Sequence, residues 1–203
     1  MQPLPVGWRE KVEGYLQREA RPPEKFGHQP RLYTLTCQVG VETLYDDDVV
    51  FAATWLHDLG VFTGHRPEER AALEAWDSVG YAMERTPALL HGFGFPTGKI
   101  AAVVECIRTH QPQFEPATIE ATILRDADIL EQLGAVGILR TVCKVGRDTR
   151  FNTFTDAVQT LRRALETLPP LLRLDAAKVL AEPRVTALGS FLDAADAEAR
   201  VLY

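Results

Sequence analysis

Residues 51–60 are Phe51-Ala-Ala-Thr-Trp-Leu-His57-Asp58-Leu59-Gly60, an apolar run that ends in an adjacent histidine and aspartate. A neutral imidazole and a carboxylate are both good ligands for a divalent metal. Neighbouring side chains on a helix point about 100° apart, so both reach one ion only if it lies beyond the helix end. Gly60 is expected to let the chain turn away at that point. The stretch therefore predicts a buried helix whose last turn presents half of a metal site.

Candidates for the other ligands lie upstream and downstream of this helix. His28 opens a helical stretch that continues through residues 31–39, and Asp126 and Asp128 lie in a third apolar segment. The two aspartates are two positions apart, which on a helix means about 200°, so they are not equally directed at one ion. The order of ligand types along the chain is His, then His-Asp, then Asp.

This order resembles the HD superfamily of metal-dependent phosphohydrolases, and longer motifs extend the resemblance from about residue 28 to residue 191. Trp55-Leu-His-Asp-Leu-Gly60 is similar to the family's Leu-Leu-His-Asp-Ile-Gly, and Ile107-Arg-Thr-His110 to its Ile-x-x-His. Residues 126–140 and the segment from 176 are similar to one bacterial branch. The resemblance places the last ligand at Asp128, with Asp126 available to orient a ligand. It implies one divalent metal (Mn, Fe, Ni, Co, Zn or Mg) and this ligand set: His28, His57, Asp58 and Asp128.

The chain departs from the family pattern at two informative positions. Two-metal members carry a further histidine on the next helix, but residues 69–78 contain none, so a single metal is the simpler expectation. Ile129 stands where the branch has an arginine after its final aspartate, so this chain lacks a cation that would hold a phosphate near the metal. The resemblance also suggests catalytic roles. Asp58 would steer the attacking water, and His110 or Glu74 would carry protons.

The implied reaction is hydrolysis of a nucleotide or other small phosphate ester by a metal-activated water. An anionic substrate needs a local cluster of cations, and a solvated basic loop is the alternative interpretation of the same residues. The substrate-binding candidates are Arg31, His65, Arg66, Arg70 and Arg108. Two other functions stay open: a hydratase or lyase of the same fold, similar to cyanamide hydratase, and a non-catalytic, metal-stabilised ligand-binding domain.

Composition excludes several classes of protein. The 203 residues are 46% hydrophobic and 25% charged, with a net charge of −6, so no basic surface favours duplex nucleic acid or an anionic membrane. No apolar run approaches the ~20 residues of a membrane span. No secretory signal is visible, and three widely spaced cysteines are expected to be buried thiols, so we expect a cytoplasmic protein with a small-molecule phosphorylated substrate. The oligomeric state stays open, with a homodimer as one option.

The periodicity predicts an all-α fold, a single-domain helical bundle of the HD-domain type over residues 1–203. Its core is expected at about 28–145, with C-terminal helices at about 151–201 packing on it. Helices are predicted over 8–19, 28–41, 46–59, 67–85, 99–110, 116–133, 135–145, 151–168 and 171–201. The Gly- and Pro-rich segment 87–98 is predicted to be a loop, and Pro183 a break or kink in the last segment.

Overall fold

The computed structural model describes residues 7–147 and 151–199, and their regular structure is helical. Within those ranges no strand forms, apart from one isolated bridge between Thr63 and Arg66. The α-helices are α1 (Trp8–Glu19), α2 (His28–Val39), α3 (Asp47–Leu56), α4 (Arg70–Glu74), α5 (Ser78–Phe93), α6 (Ile100–Thr109), α7 (Ile119–Glu131), α8 (Gly134–Val142), α9 (Phe154–Thr167) and α10 (Asp175–Ala199). Short 3₁₀ turns lie at Pro23–Gly27, Leu59–Val61, Thr97–Lys99 and Pro169–Leu171. The predicted all-α fold is confirmed.

Side-chain caps determine where several helices begin. The carboxylates of Asp46 and Asp77 accept backbone N–H bonds at the starts of α3 and α5, and the hydroxyl of Thr118 does so for α7. At α9, Thr153 and Asp156 form a reciprocal capping box. These side chains satisfy backbone donors that a helix start leaves without an internal partner.

Several of the predicted boundaries are wrong. The single helix expected over 67–85 is two helices, because α4 ends at Glu74 and Asp77 caps a new helix. The loop expected over 87–98 is partly helix, since α5 runs through Pro87 to Phe93 and ends at Gly94, whose φ of 85° is left-handed. Burial of Leu90, on the turn after Pro87, keeps this part of the helix packed on its neighbours and offsets the penalty of an internal proline. The last helix likewise continues through Pro183.

Helix α3 lies at the centre of the fold and determines where the ligand-type residues meet. Every residue from Val49 to Leu56 is buried, and the helix packs against α1, α2, α6 and α7. The carboxyl end of α3 delivers His57, the amino end of α2 delivers His28, and the residue after α6 is His110. The apolar sequence of α3 therefore places three histidines of three different helices at one end of the core.

The C-terminal helices pack on this core. Helix α10 lies against α2, α7, α8 and α9. The buried guanidinium of Arg125 in α7 donates to the backbone carbonyls of Leu171 and Pro112, which ties α7 to the segment before α10. The domain limits stay a prediction, and the predicted helix end at 201 and the stretch 1–6 lie outside the described residues.

The cysteine prediction is wrong for two of the three thiols. Cys106 is buried, but Cys37 and Cys143 are exposed, because they lie on the outward faces of their helical segments.

Across residues 7–147 and 151–199, no helix combines the length and apolar character needed to span a bilayer.

Candidate metal centre

Three ligand atoms converge beyond the end of α3. His28 Nε2 lies 3.4 Å from His57 Nε2 and 3.5 Å from an Asp58 carboxylate oxygen, and His57 Nε2 lies 3.6 Å from the other Asp58 oxygen. All three ligand atoms lie within 4.8 Å of one another, a grouping that could hold a metal ion. The two histidine side chains are buried, whereas Asp58 is one quarter exposed. The predicted convergence of these three residues is therefore present in the geometry.

The other nitrogen of each imidazole is occupied, which determines which nitrogen faces the centre. His57 Nδ1 lies 2.8 Å from the Thr54 carbonyl oxygen, and His28 Nδ1 lies 3.4 Å from a Glu131 carboxylate oxygen. Because a carbonyl or carboxylate only accepts hydrogen bonds, we infer that both Nδ1 atoms are protonated. In the neutral ring each Nε2 then carries a lone pair, which is the form that binds a metal.

The donor set fits a divalent metal ion. With both histidines neutral, two imidazole lone pairs and a carboxylate face one another within 4.8 Å. A cation bound between these acceptors would offset their mutual repulsion and the cost of burying the carboxylate charge. Imidazole nitrogen with carboxylate oxygen is the ligand chemistry of zinc and of the first-row transition metals.

The electrostatics keep the carboxylates around this centre ionised. Burial would raise the pKa of Asp58, but the positive charges that His57, His28 and His110 carry when protonated, together with that of Arg140, outweigh it and hold that pKa well below its usual range. Burial likewise opposes ionisation of Glu131, yet its bond to His28 and the charges of the neighbouring cations lower its pKa to about 2.

His110 lies beside the cluster. Its ring centroid is 4.9 Å from that of His57, and its Nδ1 lies 2.6 Å from the Ile107 carbonyl oxygen, so in the neutral ring its Nε2 also carries a lone pair. Burial and the charge of His57 lower the pKa of His110, while Asp128 and Asp58 act in the opposite direction. This position agrees with the predicted role in proton transfer, which stays a prediction.

The two candidate aspartates of α7 have different surroundings. One oxygen of Asp126 accepts the backbone N–H groups of Arg173 and Leu174, so that carboxylate holds the C-terminal segment. Asp128 is partly exposed, and its Oδ2 accepts from Gln132 at 3.2 Å. Asp128 lies outside the three-residue grouping, although its charge acts on His110. Its assignment as the fourth ligand stays a prediction.

Most of the substrate-binding candidates have partners elsewhere. Arg70 pairs with Glu74, and Arg108 with Glu105, in exposed helical ion pairs. Among the described residues, neither pair contacts the histidine cluster. Glu74, the predicted proton carrier, therefore has no described contact with the cluster either. Their functional roles stay predictions.

His65 and Arg66 follow the 3₁₀ turn after the His-Asp pair. Both ring nitrogens of His65 are engaged at 2.9 Å, one with the Tyr81 hydroxyl and one with Glu19. Arg66 is partly exposed. Of the five substrate-binding candidates, Arg31 is the one whose described bonds connect it to the cluster, through Glu131.

Sequence reasoning missed Glu131 and Arg140. Glu131 accepts from His28, from Arg31 Nε at 3.1 Å and from Arg140 Nη1 at 2.6 Å. A signal was available, because Glu131 follows Asp128 by three positions and so shares its face of α7. Carboxylates that bind the outer nitrogen of a ligand histidine orient the ring and raise its basicity.

Comparisons with known proteins support the fold. No protein-family model matches the chain, and no curated protein does. Among solved structures, YpgQ of Bacillus subtilis in complex with ADP is 21% identical, with 94% of each chain covered and a TM-score of 0.70. An HD-superfamily hydrolase from Bacillus thuringiensis is 20% identical, with 95% of this chain and 97% of that one covered and a TM-score of 0.69.

A predicted HD-superfamily hydrolase from an uncultured Thermotogales bacterium gives a similar result, with 21% identity, 96% and 94% coverage and a TM-score of 0.65. At this level of identity the likeness concerns the fold. The chain has the all-α, single-domain fold of these HD-superfamily structures, as its motifs predict.

Proposed function

We propose that this protein is a metal-dependent hydrolase of the HD superfamily that acts on a nucleotide or another small phosphate ester. The observation that carries the proposal is the meeting of His28, His57 and Asp58 at the end of a buried helix, inside a fold shared with HD-superfamily hydrolases. The ADP bound in the YpgQ structure supports a nucleotide as the substrate class. A small-molecule phosphorylated substrate, a homodimer and a cytoplasmic location stay predictions.

Each residue of the site has a proposed role in metal binding, water orientation or proton transfer. His28, His57 and Asp58, with Asp128 as the proposed fourth ligand, would hold one divalent ion. When bound, the ion would polarise a phosphoryl oxygen and lower the pKa of a water molecule. The Asp58 carboxylate, one quarter exposed, would orient the attacking water. His110 would exchange a proton through its Nε2, because its Nδ1 is bonded to the Ile107 carbonyl.

A screen of nucleotides and small phosphate esters tests the proposal, on protein whose bound metal has been measured and with Mn, Co, Ni, Fe and Mg supplied. We expect metal-dependent phosphate release from the wild-type protein. His57→Ala should lose both the bound metal and the activity. His91→Ala is the matched control, because His91 is an exposed residue near the end of α5.

Two results would contradict the proposal. Full metal content and full activity in His57→Ala would show that the cluster is not the site. Metal-dependent hydration of cyanamide, with no phosphate released from any compound tested, would favour the hydratase interpretation of the same fold.

A further inference from the structure

The carboxylate of Glu131 holds two arginines as well as His28. Arg31 Nε bonds to Glu131 Oε1 at 3.1 Å, and Arg140 Nη1 bonds to Oε2 at 2.6 Å. His28 Nδ1 lies 3.4 Å from the same Oε2. The two guanidinium groups, one from α2 and one from α8, are therefore fixed on the two oxygens of one buried side chain.

Glu131, Arg31 and Arg140 together carry a net positive charge. One ionised carboxylate faces two permanently charged guanidinium groups, so one positive charge is not balanced by Glu131. Other arginines differ in this respect. Arg70 and Arg108 each have a carboxylate of their own, on Glu74 and Glu105.

The surplus charge lies next to the metal centre and is open to solvent. His28 contacts Glu131 through Nδ1 and faces His57 and Asp58 through Nε2. Glu131 is 5% exposed, but the side chains of Arg31 and Arg140 are 46% and 30% exposed. Arg140 bonds to the same Glu131 oxygen that His28 approaches, so its guanidinium is one side chain removed from a proposed metal ligand.

Both guanidinium groups keep donors for a ligand. Each has five N–H groups, and the described side-chain bonds use one of them in each residue. The N–H groups of a planar guanidinium match the spacing of two phosphate oxygens. Two guanidinium groups beside a metal would therefore donate hydrogen bonds to a phosphoryl group from one side.

We propose that Arg31 and Arg140, positioned by Glu131, form the anion-binding pair that receives the phosphoryl group of the substrate. The inference rests on the proposed function and deepens it, because it assigns to this pair the recognition of a phosphate. Arg140 has no such role in the sequence-based predictions, and the pair replaces Arg66, Arg70 and Arg108 as the principal contact.

Inorganic phosphate is the probe, titrated calorimetrically into Mn²⁺-saturated protein whose fold is checked by circular dichroism and whose bound metal is measured. Arg31→Met and Arg140→Met should each weaken phosphate binding roughly tenfold or more, as expected for hydrogen bonds to a charged group. Arg140→Lys keeps the charge without the fork and should give an intermediate loss. Arg173→Met is the matched control, because Arg173 is 48% exposed and its side chain pairs with Glu115, and it should stay within about twofold.

The inference is overturned if Arg31→Met and Arg140→Met keep both their metal and wild-type phosphate affinity. It is overturned also if Arg70→Met or Arg108→Met causes the loss instead. Failure of the proposed function gives a different pattern. Phosphate binding would depend on Arg31 and Arg140, while the wild-type protein released no phosphate from any compound in the screen.

Discussion

Gly60→Ala should destabilise the fold and the metal centre together. Gly60 lies in the 3₁₀ turn just after His57 and Asp58, where the backbone of Ser78 at the start of α5 packs against it. A Cβ added at Gly60 would overlap the Ser78 carbonyl oxygen and lie 2.7 Å from Ser78 Cα. Nonbonded carbons pack at about 3.5–4.0 Å, so the two backbones have to separate by roughly 1 Å.

The separation cannot be absorbed by a side-chain rotation, because the neighbouring atoms belong to the backbone. It also strains the bond from Trp76 Nε1 to the Gly60 carbonyl, now 2.8 Å long. Overpacking of this kind reduces the free energy of unfolding by about 1–3 kcal/mol. Because Asp58 is two residues away, the turn that carries it moves as well, and metal affinity should fall.

Urea denaturation measures the first effect, and elemental analysis of the purified protein measures the second. Gly92→Ala is the control, since Gly92 lies within α5 and a Cβ there meets no described atom within 4 Å. That variant should be unchanged or more stable by about 0.5–1 kcal/mol, the difference in helix propensity. The reasoning is refuted if Gly60→Ala unfolds at the urea concentration of Gly92→Ala with its metal retained.

Three further predictions follow from the structure. Asp126→Ala should lower the free energy of unfolding by about 1–3 kcal/mol, because two part-buried backbone N–H groups lose their acceptor. Asp128→Ala should instead lower metal content at near wild-type stability. The reverse pattern in urea titrations and metal analysis would exchange their roles. Glu131→Gln should weaken metal binding by about 10–100-fold in a chelator competition, with Glu105→Gln, whose partner is Arg108, as the control. Equal affinities would remove Glu131 from the site. Burial raises the pKa of the Cys106 thiol to about 12, so a thiol reagent at neutral pH should modify two cysteines in the folded protein and a third only after unfolding, and three fast reactions would contradict its burial.

The central part of the site could be predicted from the sequence because His57 and Asp58 are adjacent and lie at the end of one apolar run. An apolar run that ends in His57-Asp58 indicates a buried helix with ligands at its end, and both features are present. The role of Gly60 was only partly predictable. The chain does not reverse there through a left-handed residue but continues into a 3₁₀ turn, and glycine is required by the approach of Ser78. That approach joins segments 18 positions apart, which periodicity does not report.

The surroundings of the ligands were not predictable in the same way, because they depend on how three helices pack. The spacing of Asp128 and Glu131 shows that they share a face of α7, but only the packing of α2 on α7 makes His28 and Arg31 the partners of Glu131. Arg140 reaches the same carboxylate because Gly134, with a φ of 70°, reorients the chain between α7 and α8. A pattern of ligand types thus indicates where a metal binds, whereas the groups that select its substrate come from helix packing. In this chain the packing points to Arg31 and Arg140.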